Sequence, residues 1–243
     1  MDGIILLDKP TGVTSFHVVS VIKRRFGFKK VGHAGTLDPF ATGLLLILIN
    51  DGTKLFDCVV TTDKEYSGVM FFGAQTDSQD RTGSIVSEVT DFSYSRDVLE
   101  LVRCEMIGTQ MQTPPMRSAL HYNGKRLYQL ARKGIQVAVP PREITIYDLQ
   151  FKDFSFPLVA FRIHCSKGTY VRTVCHDMGI KVGCGAYLKE LKRDSCGPFC
   201  IEEALLLDDC LASSIELLAG KILSPTKVKE MLEHYAENTV GKK

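Results

Sequence analysis

Residues 32–43 read Gly-His-Ala-Gly-Thr-Leu-Asp-Pro-Phe-Ala-Thr-Gly, a segment with three glycines and a single carboxylate. Glycine lets a backbone turn sharply and approach a ligand closely. Pro39 disfavours the α region for Asp38 and so restricts how this carboxylate is presented. An aspartate held in this way can act as a nucleophile or as a base. Because an aspartate before proline is also a common turn former, the loop alone leaves a structural role open.

The segments on either side of this loop are predicted to form a helix and strands that hold it in place. Residues 3–7 form a short apolar run typical of a strand, and Pro10 and Gly12 mark a turn after it. Thr14 or Ser15 caps a helix that runs to about residue 26 and ends at Gly27. Residues 43–49 are continuously apolar, which predicts a buried strand.

Further along the chain, strands and helices mix without a regular alternation. The patterns predict strands at about 64–73, 143–154, 158–165 and 187–194, helices at about 95–106, 125–133 and 169–181, and weak helical segments from about 205. An α+β fold therefore fits better than a doubly wound one.

Composition excludes several classes of protein. The chain has 243 residues, 44% of them apolar and 24% charged, which is typical of a globular protein. Its longest apolar run, residues 44–49, is far shorter than the roughly 20 residues of a membrane helix. Its first residues lack the features of a signal peptide. The eight cysteines include no Cys-x-x-Cys pair, so we expect reduced thiols, no metal site and a cytoplasmic location.

The net charge of +2 conceals an uneven distribution. Residues 1–50, 112–150 and 162–193 are net basic, whereas 51–111 and 194–243 are net acidic. Five cations stand at the end of the first predicted helix: Lys23, Arg24, Arg25, Lys29 and Lys30. They exceed what helix capping requires, so we expect contact with phosphates, the alternative being a solvated helix end.

Residues 167–172, Lys-Gly-Thr-Tyr-Val-Arg, form a second candidate functional segment. A helix that opens here places Arg172 in its first turns. There the guanidinium can pair with a buried carboxylate, or form a surface ion pair worth at most about 1 kcal/mol. Asp77 and Asp80, in the polar segment 76–83, are interpreted as Asx-turn residues rather than metal ligands.

In their order along the chain, these motifs resemble the TruB family of tRNA pseudouridine synthases. The similarity covers residues 3 to about 200 and rests on the Asp-Lys-Pro-x-Gly, Gly-His-Ala-Gly-Thr-Leu-Asp-Pro, Lys-Glu-Tyr, Pro-Pro-Met-x-Ser-Ala-Leu and Ser-Lys-Gly-Thr-Tyr-x-Arg segments that begin at residues 8, 32, 64, 114 and 166. It implies a pseudouridine synthase fold, with a large mixed, mostly antiparallel sheet flanked by helices and an active-site cleft across it.

The resemblance also implies an activity, the isomerisation of uridine to pseudouridine at position 55 in the T-loop of tRNA. It implies no cofactor, no metal and no protein partner. We expect a cytoplasmic monomer that binds the tRNA T-stem-loop and no membrane.

Residue roles follow from the same resemblance. Asp38 matches the catalytic aspartate, which either attacks C1′ of the ribose or removes the 2′ proton to give a glycal; the sequence leaves both open. Tyr66 matches the tyrosine that stacks on the target base, and Arg172 matches the arginine paired with the aspartate. Leu191 matches an apolar wall of the uracil pocket, and His33 a histidine that inserts into the T-loop.

Three further residues, Lys9, Lys64 and Tyr170, complete the expected substrate-binding set, with Lys9 in a loop that supports the site. We expect residues 1–204 to form the catalytic domain and 205–243 a short tail without a full RNA-binding domain of the PUA type. Two other functions remain possible. One is a non-catalytic tRNA-binding chaperone, and the other is an N-glycosidase that releases free base, although such enzymes usually carry two carboxylates.

Overall fold

The computed structural model describes residues 1–89, 95–118, 120–122, 124–131 and 133–239. Its framework is a mixed sheet of ten strands with helices beside it, and two more sheets have two strands each. The predicted α+β class with one large mixed sheet is therefore confirmed. The chain divides into two compact units, the first made of residues 1–66 and 191–243 and the second of residues 67–190.

The first unit contains most of the N-terminal third of the chain and the whole C-terminal segment. Its strands are β1 (Gly3–Lys9), β2 (Val31–Ala34), β3 (Thr42–Ile49), β13 (Phe199–Cys200) and β14 (Leu205–Leu206). Its helices are α1 (Ser15–Phe26), α2 (Phe56–Val60), α6 (Leu207–Ala212), α7 (Ile215–Ala219) and α8 (Pro225–Thr239), with 3-10 turns at Asn50–Leu55 and Ile201–Glu203.

The second unit contains the middle of the chain. Its elements are β5 (Ala74–Thr76), β6 (Ile85–Glu88), α3 (Arg96–Glu105), β7 (Gly108–Gln112), β8 (His121–Tyr122), β9 (Lys125–Arg126), α4 (Leu127–Ala131), β10 (Arg142–Ser155), β11 (Leu158–Cys165) and α5 (Val171–Val182). Two strands, β4 (Lys64–Phe72) and β12 (Ala186–Cys196), have residues in both units. Within the second unit the large sheet runs in the order β4-β11-β10-β7.

Strand register in the first unit brings three chain segments together at one point. Here the order is β14-β1-β3-β12, and β1 pairs antiparallel with β3 so that Lys9 lies opposite Gly43. On the other side of β3, β12 runs parallel and places Arg193 opposite Gly43. The last residue of the glycine-rich segment thus lies between Lys9 and Arg193.

The predicted α1 helix is confirmed at both ends. The Thr14 side chain accepts a hydrogen bond from the His17 N–H at 3.0 Å, and Gly27 ends the helix in the left-handed region at φ +68°. Two boundaries differ from the prediction. Residues 32–34, expected as loop, belong to β2, and β1 continues through Lys9. In each case the backbone N–H and C=O groups are satisfied by pairing with β3, which the local sequence does not reveal.

The C-terminal segment belongs to the core of the first unit. Strand β14 pairs with β1, and Ile4 and Leu223 exchange two backbone hydrogen bonds of 3.0 and 2.9 Å. Val228 of α8 is fully buried beside Ile4 and Leu6. None of the helices in the described part of the chain has the length and apolarity that a membrane span requires.

Arg25, one of the five cations expected to contact phosphate, holds part of this C-terminal segment. Its guanidinium donates to the Leu211 and Ser213 carbonyls at 2.8 and 3.2 Å. The other four cations of that cluster are exposed.

Candidate active site

The Asp38 loop of the first unit is fixed by hydrogen bonds on both sides of the carboxylate. Asp38 itself is half-buried, and its carbonyl accepts from the Ala41 N–H at 3.1 Å, which closes a tight turn. The neighbouring residues are held by the bonds from Leu37 N to Ser15 Oγ (3.0 Å), Gly12 N to Pro39 O (2.8 Å) and Thr11 Oγ1 to Phe40 O (3.0 Å). The turn after β1 and the start of α1 therefore hold the residues next to Asp38.

Lys9 supports the same loop from within the protein. Its side chain is fully buried, and Nζ donates to the carbonyls of Pro10 (2.8 Å), Val13 (2.9 Å) and Pro39 (3.4 Å). Burial lowers the pKa of Lys9 to about 8; Asp38 opposes this shift, and the charge on Arg193 adds to it. Lys9 therefore interacts electrostatically with Asp38 and binds backbone carbonyls on both sides of it in the structure.

Strand β12 presents two buried side chains toward one face. Leu191 and Arg193 are buried, whereas Lys192 between them is exposed, which is the alternation of a half-covered strand. The Leu191 carbonyl accepts from Thr42 Oγ1 at 3.4 Å, so the expected wall residue is joined to the end of the Asp38 loop.

The remaining candidates of the first unit lie on β2 and at the start of β4. His33 is half-buried and pairs across the strands with Ile47. Lys64 and Tyr66 are buried on the same face of β4. Lys64 Nζ donates to the carbonyls of Val60 (2.7 Å) and Thr62, so its ammonium caps the end of α2.

In the second unit, Arg172 is anchored in a dense polar network. Its side chain is 4% exposed, and Nη1 lies 3.2 Å from Asp80 Oδ2. Nη1 also donates to the Ser78 carbonyl at 3.1 Å, and Nη2 donates to the Arg117 carbonyl at 2.9 Å. Arg172 thus pairs with a buried carboxylate, that of Asp80, rather than at the surface, and its expected pairing with Asp38 stays a prediction.

Asp80 combines this ion pair with the turn that the sequence predicted. Its Oδ1 accepts from Ser78 Oγ and from the Thr82 N–H, both at 2.8 Å. The Asp77 carboxylate, expected to form a turn of the same kind, instead accepts from the Ser84 N–H, seven residues on, at 3.0 Å, and pairs with Arg117 at the surface. In the described residues no group of three His, Cys, Asp or Glu side chains is arranged to hold a metal.

Tyr170 is held at the start of α5 by a side chain that sequence reasoning passed over. The amide of Gln112, 3% exposed, accepts from the Tyr170 N–H at 2.8 Å and donates to the Tyr170 carbonyl at 3.1 Å. The guanidinium of Arg142 lies 4.7 Å from the centre of the Tyr170 ring, within the range of a cation–π contact. Because Tyr170 caps α5, these contacts also fix the turn that carries Arg172.

The structure therefore connects several of the expected residues within each unit. Lys9, Leu191 and the Asp38 loop are joined in the first unit, and Tyr170 and Arg172 are joined in the second. Sequence reasoning gave Asp80 only a turn role and gave no role to Gln112 or Arg193, although all three side chains lie in these networks. No local sequence pattern reveals that these three polar side chains are buried.

Comparisons with known proteins agree on one family. Residues 23–171 match the model for the N-terminal domain of TruB family pseudouridylate synthases, and residues 172–227 match the model for the tRNA pseudouridylate synthase B C-terminal domain. The chain is 45% identical to tRNA pseudouridine synthase B of Syntrophotalea carbinolica, covering 90% of this chain and 70% of that protein. It is 42% identical to the protein of the same name from Desulfotalea psychrophila, covering 95% and 97%.

Among solved structures, the chain is similar to one in the crystal structure of a Cbf5-Nop10-Gar1 complex. The TM-score is 0.69 at 29% identity, and the match covers 86% of this chain and 53% of the other. A chain from an H/ACA RNP bound to a substrate RNA containing 2′-deoxyuridine gives a TM-score of 0.67 at 25% identity, with 91% and 56% coverage. This chain thus spans about half the length of these two solved chains.

Proposed function

This chain belongs to the TruB family of tRNA pseudouridine synthases, isomerases that convert uridine to pseudouridine, and on that premise we propose that its target is the uridine at position 55 in the T-loop of tRNA. The observation that carries the proposal is the Asp38 loop. Its backbone is fixed through Leu37, Pro39 and Phe40, so the carboxylate between them is held in place before substrate arrives.

The reaction requires one carboxylate. It is an isomerisation, so substrate and product have the same composition. The N1–C1′ bond of the uridine breaks, the uracil turns within the pocket, and C5 joins C1′. The proton on C5 is released to solvent, and N1 gains one. We propose that Asp38 either bonds to C1′ or removes the 2′ proton, both of which a fixed carboxylate can do.

We assign the remaining roles by the same match of motifs. Tyr66 stacks on the extruded uracil and assists loss of the C5 proton, with Leu191 as the apolar wall of the pocket. Arg172 orients the Asp38 carboxylate. His33 inserts into the T-loop, Lys64 and Tyr170 complete the substrate-binding set, and Lys9 contributes to it by supporting the loop that carries Asp38.

The energetics of extrusion suit such a site. A uridine in a folded T-loop has to leave its stack at a cost of a few kcal/mol. Stacking on an aromatic ring returns about 1–3 kcal/mol per base. The exposed cations Lys23, Arg24, Lys29 and Lys30 supply phosphate contacts, so binding weakens as salt rises.

We further propose that residues 1–204 supply the catalytic machinery, with 205–243 as a short C-terminal segment. We also propose that the protein acts as a monomer in the cytoplasm. Light scattering measures the mass of the free protein and of its tRNA complex, and so tests whether the protein is a monomer.

The decisive experiment measures tritium release from unmodified tRNA labelled at uridine C5. Wild type should release tritium, and Asp38→Asn should release none while still binding tRNA. Asp51→Asn should match wild type because the Asp51 carboxylate is exposed and pairs with Lys54 at the surface. A tRNA with cytidine at position 55 should give no release. Binding without release by the wild type would favour the chaperone, and free uracil in the product would favour the glycosidase.

The two mechanisms for Asp38 separate with deuterium at the ribose C2′. Removal of the 2′ proton breaks the C2′–H bond, so the glycal route predicts a primary isotope effect on the single-turnover rate. Attack at C1′ leaves that bond intact and predicts a rate close to that of unlabelled tRNA.

A further inference from the structure

We propose that Arg193 is a positioning residue that clamps the two ends of the Asp38 loop and thereby sets the placement of the catalytic carboxylate. This inference rests on the proposed function, since it concerns how Asp38 is held for that reaction. Arg193 is 1% exposed and lies on β12, two residues beyond Leu191.

The guanidinium binds carbonyls from both ends of the loop. Nε donates to the Leu44 carbonyl at 2.7 Å, and Nη2 donates to the Gly35 carbonyl at 2.9 Å. Asp38 lies between these two residues in the chain. A planar guanidinium can serve two acceptors at fixed directions, whereas a lysine ammonium is a single point of charge.

Two glycines of the loop let its backbone approach Arg193. A Cβ on Gly35 would lie 2.9 Å from Arg193 Nη1. A Cβ on Gly43 would lie 2.4 Å from the Arg193 carbonyl oxygen and 2.6 Å from its nitrogen. Both glycines have positive φ, +73° and +98°. The first glycine thus makes room for the side chain of Arg193 and the second for its backbone.

Charge places Arg193 in the same cluster as the carboxylate. The charges of Asp38, Arg193 and Asp8 all interact with that of Lys9, so these four ionisable groups lie within one region of the first unit. Asp8 Oδ1 in turn accepts from the Gly43 N–H at 3.2 Å. Loosening Arg193 would therefore free both ends of the loop, and a displacement of about 1 Å can cost on the order of 100-fold in rate.

The first test is single-turnover tritium release by Arg193→Met and Arg193→Lys. We expect the rate to fall by about 100-fold in the methionine variant and less in the lysine variant, with the tRNA Kd changed less than about threefold. Arg103→Met is the matched control, because Arg103 also donates to a backbone carbonyl, that of Leu149 at 2.7 Å, but lies in the second unit. A rate for Arg193→Met no lower than for Arg103→Met, or a loss confined to tRNA binding, would overturn the proposal.

The second test needs no activity and separates this inference from the proposed function. Gly35→Ala and Gly43→Ala should each lower Tm, by about 4 °C or more, because both positions combine positive φ with a close contact. In an Arg193→Met background, the loss from Gly35→Ala should shrink, since its contact is with the guanidinium. The loss from Gly43→Ala should persist, since its contact is with backbone.

Equal losses from Gly35→Ala in both backgrounds would contradict the clamp. If Arg193→Met does not fold, Arg193→Lys carries both measurements, because it also lacks Nη1. A wild type without isomerase activity would refute the proposed function, while the unfolding data would still report on the clamp.

Discussion

The Arg172 guanidinium and the Asp80 carboxylate lie 3.2 Å apart, and their side chains are only 4% and 5% exposed. A buried ion pair is worth little over an apolar pair of the same shape, but removal of one partner leaves a buried charge uncompensated. Asp80 therefore binds Arg172 to the turn of residues 78–82, and the Arg117 and Ser78 carbonyls also accept hydrogen bonds from the guanidinium.

Loss of this carboxylate should destabilise the fold. We expect Asp80→Asn to lower the free energy of unfolding by about 3 kcal/mol, since it removes the buried carboxylate charge that lies 3.2 Å from the Arg172 guanidinium. Asp77→Asn is the control, because the Asp77–Arg117 pair is about 40% exposed and worth at most about 1 kcal/mol. Urea denaturation of both variants measures the difference, and equal effects would show that burial does not decide the value of the pair.

Gln112 should matter through the backbone of Tyr170. Gln112→Leu keeps the volume similar but leaves the Tyr170 N–H and carbonyl without the amide that binds both. We expect a loss of about 1–3 kcal/mol in urea, because the Tyr170 N–H loses its acceptor, whereas the Tyr170 carbonyl still accepts from the Thr173 and Val174 N–H groups. Gln150→Leu, at an exposed position, should change stability by less than about 0.5 kcal/mol. A neutral Gln112→Leu would mean that other groups replace the amide.

The burial of Lys9 predicts a dependence of stability on pH. Its pKa is about 8 in the folded chain against 10.5 as the ordinary value, so the unfolded chain holds more protons between these pH values. The free energy of unfolding should therefore rise with pH from about 8 to 10.5, by on the order of 3 kcal/mol from this residue.

Denaturation of wild type and Lys9→Met across that range isolates the effect from other titrating groups. The wild type should show the more positive slope. Lys54→Met is the control, because Lys54 is exposed, and its slope should match wild type. Parallel curves for Lys9→Met and wild type would show that the buried amine does not titrate in this window.

Gly179 in α5 should resist replacement by alanine. Alanine gains about 1 kcal/mol in helix propensity. However, a Cβ at Gly179 would lie 2.0 Å from the Ala186 nitrogen, so the helix would have to move away from β12. We expect a net loss of about 2 kcal/mol and, because α5 carries Arg172, a lower rate of tritium release. Gly32→Ala, whose nearest contact is an ordinary 3.8 Å, is the control for stability; a stabilised Gly179→Ala would contradict the packing argument.

The C-terminal helix should unfold together with the first unit. Val228 is fully buried in the core with Ile4 and Leu6. Val228→Ala should cost about 2 kcal/mol in a single urea transition, whereas Leu217→Ala, at a residue 70% exposed, should cost less than about 0.5 kcal/mol. A separate early transition in Val228→Ala would show that α8 is not part of the same cooperative unit.

Local sequence patterns predicted much of the fold correctly. The cap at Thr14 and the stop at Gly27 delimit α1, and the continuous apolar run of β3 marks a strand covered on both faces. Such signals depend only on residues close in the sequence, so they can be interpreted without knowledge of tertiary contacts. The α4 helix, expected over 125–133, is shorter, at Leu127–Ala131, because Lys125 and Arg126 pair in β9, a partner that local propensity does not reveal.

The sequence by itself determined the family, the α+β class and the loop that carries Asp38, because ordered motifs and residue periodicity are properties of the chain alone. Only the tertiary structure decided which polar groups meet. Asp80 and Arg172 are distant in sequence, as are Arg193 and Gly35, and their contacts arise from strand register and helix packing. Burial then determines their importance, since a charge or carbonyl removed from water needs its partner far more than an exposed one does.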